Sequence, residues 1–110
     1  MRQGDIYLAD LNPVRGSEQS GLRPVVIVSG NAMNAHTGLC IICPLTSKIK
    51  GYAGCLKLEP SEINGLTVVS EVLSFQIRVI SVERMIQRLG KLTKSQLKDL
   101  LSGITDILKY

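Results

Sequence analysis

The segment "PVVIVS" (24–29) constrains the fold more than any other stretch of this 110-residue chain. It is β-branched and continuously apolar, without the in–out alternation of a strand that has one wet face. It therefore reads as a central strand covered on both sides. Such a strand needs neighbours, and the sequence supplies them. "DIYLADL" (5–11) alternates and predicts a half-buried strand with Ile6, Leu8 and Asp10 on one face. "LCIICPLT" (39–46) predicts a second buried strand, ended by Pro44 and the polar run "TSKIKGYAG". "CLKLE" (55–59) alternates again, and "LTVVSEVLSFQIRVIS" (66–81) gives either one long bent strand or two short ones. "GNAMNAHTG" (30–38) is a connector with room for one helical turn.

The C-terminal segment changes period. "TKSQ" (93–96) is a capping box, in which Thr93 accepts from a first-turn N–H and Gln96 reaches back. Leu97, Leu100, Leu101, Ile104, Ile107 and Leu108 then recur at helical spacing, predicting an amphipathic helix to about Leu108. Several short strands closed by one helix describe an α+β small barrel. A chain of this length predicts a single domain, 1–110. Its core must be filled by Val, Ile and Leu, because the chain has no Trp, one Phe and three Tyr.

The formal charge is +4, and the excess lies in the first half: residues 1–58 hold six Lys/Arg against three acids. That bias suits a polyanionic partner without requiring one. "MRQGDIYLAD" has no apolar signal core, and no run is long enough to span a bilayer, so the expectation is a cytoplasmic protein with no membrane association. Three cysteines, an odd number, suit a reducing compartment.

Elimination narrows the chemistry. A single histidine, His36, rules out a two-histidine acid–base pair within one chain. No Asp/Glu/His cluster has metal-ligand spacing, so neither a metal nor another cofactor is expected. Cys40 and Cys43 form a CxxC, but inside a strand positions i and i+3 face opposite sides, which makes them two buried structural thiols. What remains are arginines and hydroxyls beside glycine-rich loops. Residues 12–22 form an eleven-residue connection, long for a compact domain, and such loops are usually functional. The loop delivers Arg23 against Pro24, which biases Arg23 to an extended conformation at the start of the central strand. At the end of another buried strand stand Thr46 and Ser47, followed by Lys48 and Lys50. An arginine and a hydroxyl at two strand ends suit a phosphate. On spacing alone the plainer reading is the more economical: an arginine paired with Glu18 or Asp10, and a threonine finishing a strand.

Taken together, "GDIYLADLNPVRGSEQSGLRPVVIVS", "CPLTSKI" and "FQIRVISVERMIQRLGKLTKSQLKDL" resemble the MazF/PemK/Kid family of toxins, the mRNA interferases. The resemblance covers nearly the whole chain in order. It implies an SH3-like small barrel of five to seven strands with a C-terminal helix, assembled as a homodimer. It also implies a metal-independent, cofactor-free endoribonuclease that cuts single-stranded mRNA at short specific sequences. The family's catalytic arginine falls on Arg23 and its catalytic threonine on Thr46. A cognate MazE-type antitoxin, with a disordered acidic tail lying over the RNA groove, is the implied regulator.

Without a histidine pair or metal ligands, the economical route to RNA cleavage is attack by the RNA's own 2′-hydroxyl. That attack leaves a 2′,3′-cyclic phosphate and a 5′-hydroxyl, and makes DNA a non-substrate. Arg23 and Thr46 would donate to the non-bridging oxygens of the phosphorane. Arg23 is assigned electrostatic stabilisation first, since a guanidinium gives up its proton with difficulty. Arg15, Glu18, Gln19, Ser47, Gln76 and Arg78 are candidate groove residues, with Lys48 and Lys50 steering phosphates.

Two departures limit the transfer. Phe75 stands where some relatives carry an acid, so a catalytic carboxylate is not carried over, and Leu8 stands at an often aromatic position. Two other functions share the features above: a toxin of the same barrel that binds a protein such as DNA gyrase, and a non-catalytic binding module. The Arg23-Pro24 and Thr46-Ser47 pairs favour the nuclease over both.

Overall fold

A computed structural model of the chain describes residues 1–13, 16 and 21–110. The strands are β1 (Asp5–Asp10), β2 (Leu22–Ile27), β3 (Leu39–Thr46), β4 (Leu56–Leu58), β5 (Ser70–Val72), β6 (Arg78–Ser81) and β7 (Met85–Lys91). The helices are α1 (Asn31–His36) and α2 (Lys94–Lys109), with 3₁₀ turns at Ser74–Gln76 and Val82–Arg84. All pairings are antiparallel, in the order β4-β5-β3-β2-β1-β7, with β6 also paired to β3. The sheet curls into a half-barrel closed at one end by α2, the α+β barrel-plus-helix architecture that the sequence predicts.

"PVVIVS" is central, as its composition requires. Val25, Val26 and Ile27 are fully buried. Val26 joins the cluster formed with Ile6, Cys43, Leu45, Leu58, Leu100 and Ile104, on the face that α2 covers. Val25 and Ile27 join Ala9, Leu11, Cys40, Ile42 and Ile80 on the opposite face. The two cysteines of the CxxC divide between these clusters, as strand periodicity demands. Burial pushes the Cys43 thiol up from 9.0 to about 12, with the nearby Cys55 adding to the rise. A raised folded-state value means that Cys43 contributes stability fully below pH 9, and that this contribution is lost as pH rises towards about 12. Urea midpoints are therefore expected to fall between pH 9 and 12, and less steeply in Cys43→Ala than in the parent.

Two expectations need correction, one alternative is settled, and one strand went unread. β1 is not half-wet: Ile6 belongs to one core and Ala9 to the other, because both faces of the strand are covered and positions i and i+3 point to opposite sides. Pro44 does not end β3, which runs on to Thr46. Its carbonyl accepts from Leu73 N (2.9 Å), at the gap where β3 changes partner from β6 to β5, so the missing N–H breaks no ladder. Of the two alternatives for residues 66–81, the structure takes the second, two short strands separated by the 3₁₀ turn. β7 carries no alternating signal, with Gly90 its one buried residue, and sequence periodicity passes over it.

The capping box of α2 forms as read: Gln96 N donates to Thr93 Oγ1 (3.1 Å) and Thr93 N to Gln96 Oε1 (2.9 Å). Leu100 and Ile104 are buried, whereas Leu108 is 79% exposed and lies past the end of the apolar stripe. The helix backs directly onto the loop after β3. A Cβ added at Gly103 would meet Gly54 O at 2.3 Å and Gly54 C at 3.0 Å, both backbone atoms. Gly103→Ala is therefore expected to destabilise by about 1–3 kcal/mol, which is about 4–8 °C in Tm for each kcal/mol. A thermal melt followed by circular dichroism checks it.

Candidate RNA-binding site

β2 and β3 carry the two residues, Arg23 and Thr46, that the resemblance singles out. Their register pairs Val25 with Pro44 and Ile27 with Ile42. The pairing ends at Val25 and Pro44; Arg23 and Thr46 lie two residues beyond it on their strands, with the parity of Val25 and Pro44 and hence on their face. That face is the one turned away from α2, since Val25, Ile27 and Ile42 belong to the second cluster. Arg23 is half-buried and pairs on its other side with Ala9 of β1. Thr46 is buried, and its Oγ1 accepts from Lys48 N (3.1 Å), which turns the chain out of the strand. Ser47, Lys48 and Lys50 follow as exposed residues.

On its far side Thr46 is paired with Glu71 of β5. Glu71 is 2% exposed, and its carboxylate accepts from Lys50 N and Gly51 N, both at 3.0 Å. A buried carboxylate is normally tied by such bonds or by a cation. Here it ties the β3–β4 loop back beside Thr46. Sequence reading missed Glu71, although a lone acid within "VVSEVLS" is a signal that its charge must be met inside the fold.

The loop and the 3₁₀ turn before β6 enclose an open cleft of about 270 Å³, lined by Thr46, Lys48, Lys50, Tyr52, Leu73, Phe75 and Gln76. Ser74, fully buried, donates from Oγ to Gly54 O (2.7 Å) and joins its two walls. The structure thus brings Thr46, Lys48, Lys50 and Gln76 together around one cleft. Arg23 stands on the neighbouring strand rather than in the cleft wall. Arg78 lies further along β6, opposite Ile42, and its Nη1 is buried with no hydrogen-bond partner among the described residues. Tyr52 was not a candidate from sequence, and Phe75 was noted only as a departure.

Arg15, Glu18 and Gln19 lie outside the described residues. The base of their segment is described: Leu11 N donates to Gly21 O (3.0 Å) and Gly21 N to Asn12 Oδ1 (3.1 Å). Arg84 Nη1 donates to the carbonyls of Asp10 and Asn12. Asp10, the partner considered above for Arg23, accepts from Asn12 N through Oδ1 (3.0 Å).

Known proteins place this geometry. Residues 2–108 match the model of the PemK-like, MazF-like toxins of type II toxin–antitoxin systems. Endoribonuclease MazF of Staphylococcus saprophyticus is 36% identical over 106 residues, covering 94% of this chain and 88% of that protein. Among solved structures, MazF from Deinococcus radiodurans superposes with a TM-score of 0.81 at 29% identity, covering 99% of this chain and 96% of its own. A MazE–MazF structure from the same organism gives 0.79 at 29% identity, with the same coverage.

Proposed function

Because this chain belongs to the PemK-like, MazF-like toxin family of type II toxin–antitoxin systems, we propose that it is a metal-independent endoribonuclease cutting single-stranded mRNA at short specific sequences. The observation that carries the reading is the placement of Arg23 and Thr46. They stand on one face of adjacent strands, beside a cleft rimmed by Lys48 and Lys50. The endoribonuclease name of the 36%-identical relative supports it over the gyrase-poison and non-catalytic readings.

The RNA 2′-hydroxyl attacks the adjacent phosphorus in line with the departing 5′-oxygen. The P–O5′ bond breaks as the new P–O2′ bond forms, leaving a 2′,3′-cyclic phosphate and, after proton transfer to O5′, a 5′-hydroxyl. Arg23 and the Thr46 hydroxyl donate to the non-bridging oxygens, where negative charge grows in the phosphorane. Lys48 and Lys50 steer the strand by its phosphates, a contribution that weakens with salt. Ser47, Gln76 and Arg78 add groove contacts. Arg15, Glu18 and Gln19, outside the described residues, are further candidates for RNA contact.

The toxin works as a cytoplasmic homodimer held by a MazE-type antitoxin. The dimer is supported by β6, which pairs only with β3 among the described residues and exposes Val79 (51%), with Ile77 (38%) just before it and Leu39 (42%) on β3. An apolar sheet surface of this kind is normally covered. The antitoxin is supported by the MazE–MazF relative and by the basic rim, which suits an acidic tail.

Mixed-sequence RNA incubated with the purified protein in EDTA is expected to be cut at recurrent short motifs, and not by Arg23→Ala. A requirement for added metal, or equal cutting by the variant, overturns the assignment.

A further inference from the structure

The only phenylalanine of the chain is outside the core. Phe75 is 45% exposed and Tyr52 is 52% exposed, and their rings meet edge to face, with centroids 5.3 Å apart and planes at 88°. In a chain with four aromatic residues, two are spent on one surface pair. Both rings line the cleft that Thr46, Lys48 and Lys50 also line, and Leu73, 3% exposed, lines it with them.

Their supports are rigid. Tyr52 follows directly on Lys50 and Gly51, whose N–H groups are fixed by buried Glu71, and its carbonyl accepts from Cys55 N (3.1 Å). Phe75 sits in the 3₁₀ turn, where Gln76 N donates to Leu73 O (3.0 Å), and Ser74 ties that turn to Gly54 of the Tyr52 loop. Two perpendicular rings held this way offer one flat π-face and one edge. Lysines stand on the rim, and a hydroxyl on a strand end at the same cleft.

We propose that Tyr52 and Phe75 form the stacking site for one unpaired nucleobase of the RNA, next to the scissile phosphate, and so set which base is accepted there. The proposal rests on the endoribonuclease reading for what is cut, but the binding it describes is measurable without cutting. An aromatic face takes any base, while the enclosing ring and walls limit its size and tilt. The two lysines hold the flanking phosphates irrespective of sequence. The cleft, at about 270 Å³, is of a size to take one nucleoside.

The test uses 2′-O-methyl RNA 10-mers of A, C or U, which cannot be cut, with binding followed by fluorescence anisotropy across a salt series. Phe75→Leu and Tyr52→Leu are each expected to weaken binding by roughly tenfold to a hundredfold. Their log-affinity against log-salt slope is expected to match the parent, while Phe75→Tyr and Tyr52→Phe bind as the parent does. Lys48→Ala and Lys50→Ala are expected to do the reverse, flattening the slope. On cleavable mixed RNA, the leucine variants are expected to raise KM more than they lower kcat and to relax the preference at one base beside the cut.

Leucine variants that bind as tightly as the parent overturn the proposal. So does a loss of binding accompanied by a flattened salt slope, or by conversion of a dimer to monomers in sedimentation, which would place the rings in a protein interface. Ring-dependent binding by a parent that cuts no RNA would leave the stacking site standing and remove the endoribonuclease reading. Cutting that ignores both rings would do the opposite.

Discussion

Arg23→Ala is expected to lower kcat for RNA cleavage by roughly 10²–10³-fold, the effect of losing one preorganised donor to developing charge. The substitution removes a group that acts most strongly in the phosphorane, so kcat should fall further than KM rises. Arg23→Lys should recover only part of the rate, because an ammonium is a point donor and cannot present the fork of a guanidinium. The neighbouring residues argue that the fold will hold. Arg23 is half-buried at the start of β2, and the fully buried Val25, Val26 and Ile27 carry the strand's packing. Single-turnover rates of the parent and both variants, with their melts, check this. A variant that cuts at the parental rate would remove Arg23 from the chemistry. Thr46→Val is expected to be a smaller lesion, since it deletes one neutral donor and the acceptor of Lys48 N.

The second large effect is expected at Glu71, which contacts the cleft's frame rather than the RNA. Its two carboxylate oxygens each accept one backbone N–H, from Lys50 and Gly51. In Glu71→Gln one of those N–H groups would face an amide NH₂. Bonds to a charged acceptor contribute about 1.5–3 kcal/mol each, so a stability loss of that order is expected from Gln and a larger one from Ala. The loop that carries Lys48, Lys50 and Tyr52 should then loosen while Arg23 and Thr46 stay on their strands. The expected signature is a rise in KM and blurred sequence preference, together with faster amide hydrogen exchange at Lys50 and Gly51. Unchanged exchange at those two amides would contradict the positioning role.

How much of this could be read in the sequence differs from element to element, for physical reasons. "PVVIVS" and the Thr93–Gln96 box announce themselves because burial on two faces and a helix N-terminus are each encoded locally. The opposite facing of Cys40 and Cys43 follows from the period of a strand alone. β7 was invisible because it is paired along β1 and exposes Ile86, Gln87 and Arg88, leaving no alternation to detect. At the site, Thr46, Lys48, Lys50 and Gln76 were picked out from sequence and share a cleft. Glu71 and Tyr52 were not picked out, because their importance depends on which strand lies beside Thr46 and on where the loop returns. Pairings across 20 or more residues leave no local trace. The Arg84 clamp on Asp10 and Asn12 is of the same kind.

The most direct measurement is the chemistry of the cut itself. Once a cleavage motif is mapped, an oligonucleotide carrying it is prepared in two forms, all-ribose and with a single 2′-deoxy sugar 5′ to the scissile phosphate. Both are incubated with the protein in EDTA and resolved by mass spectrometry. Cleavage of the all-ribose form alone, ending in a 2′,3′-cyclic phosphate and a 5′-hydroxyl, is the predicted result. Cutting of the 2′-deoxy form at the same bond, or a 5′-phosphate product, would contradict attack by the 2′-hydroxyl and the roles given to Arg23 and Thr46.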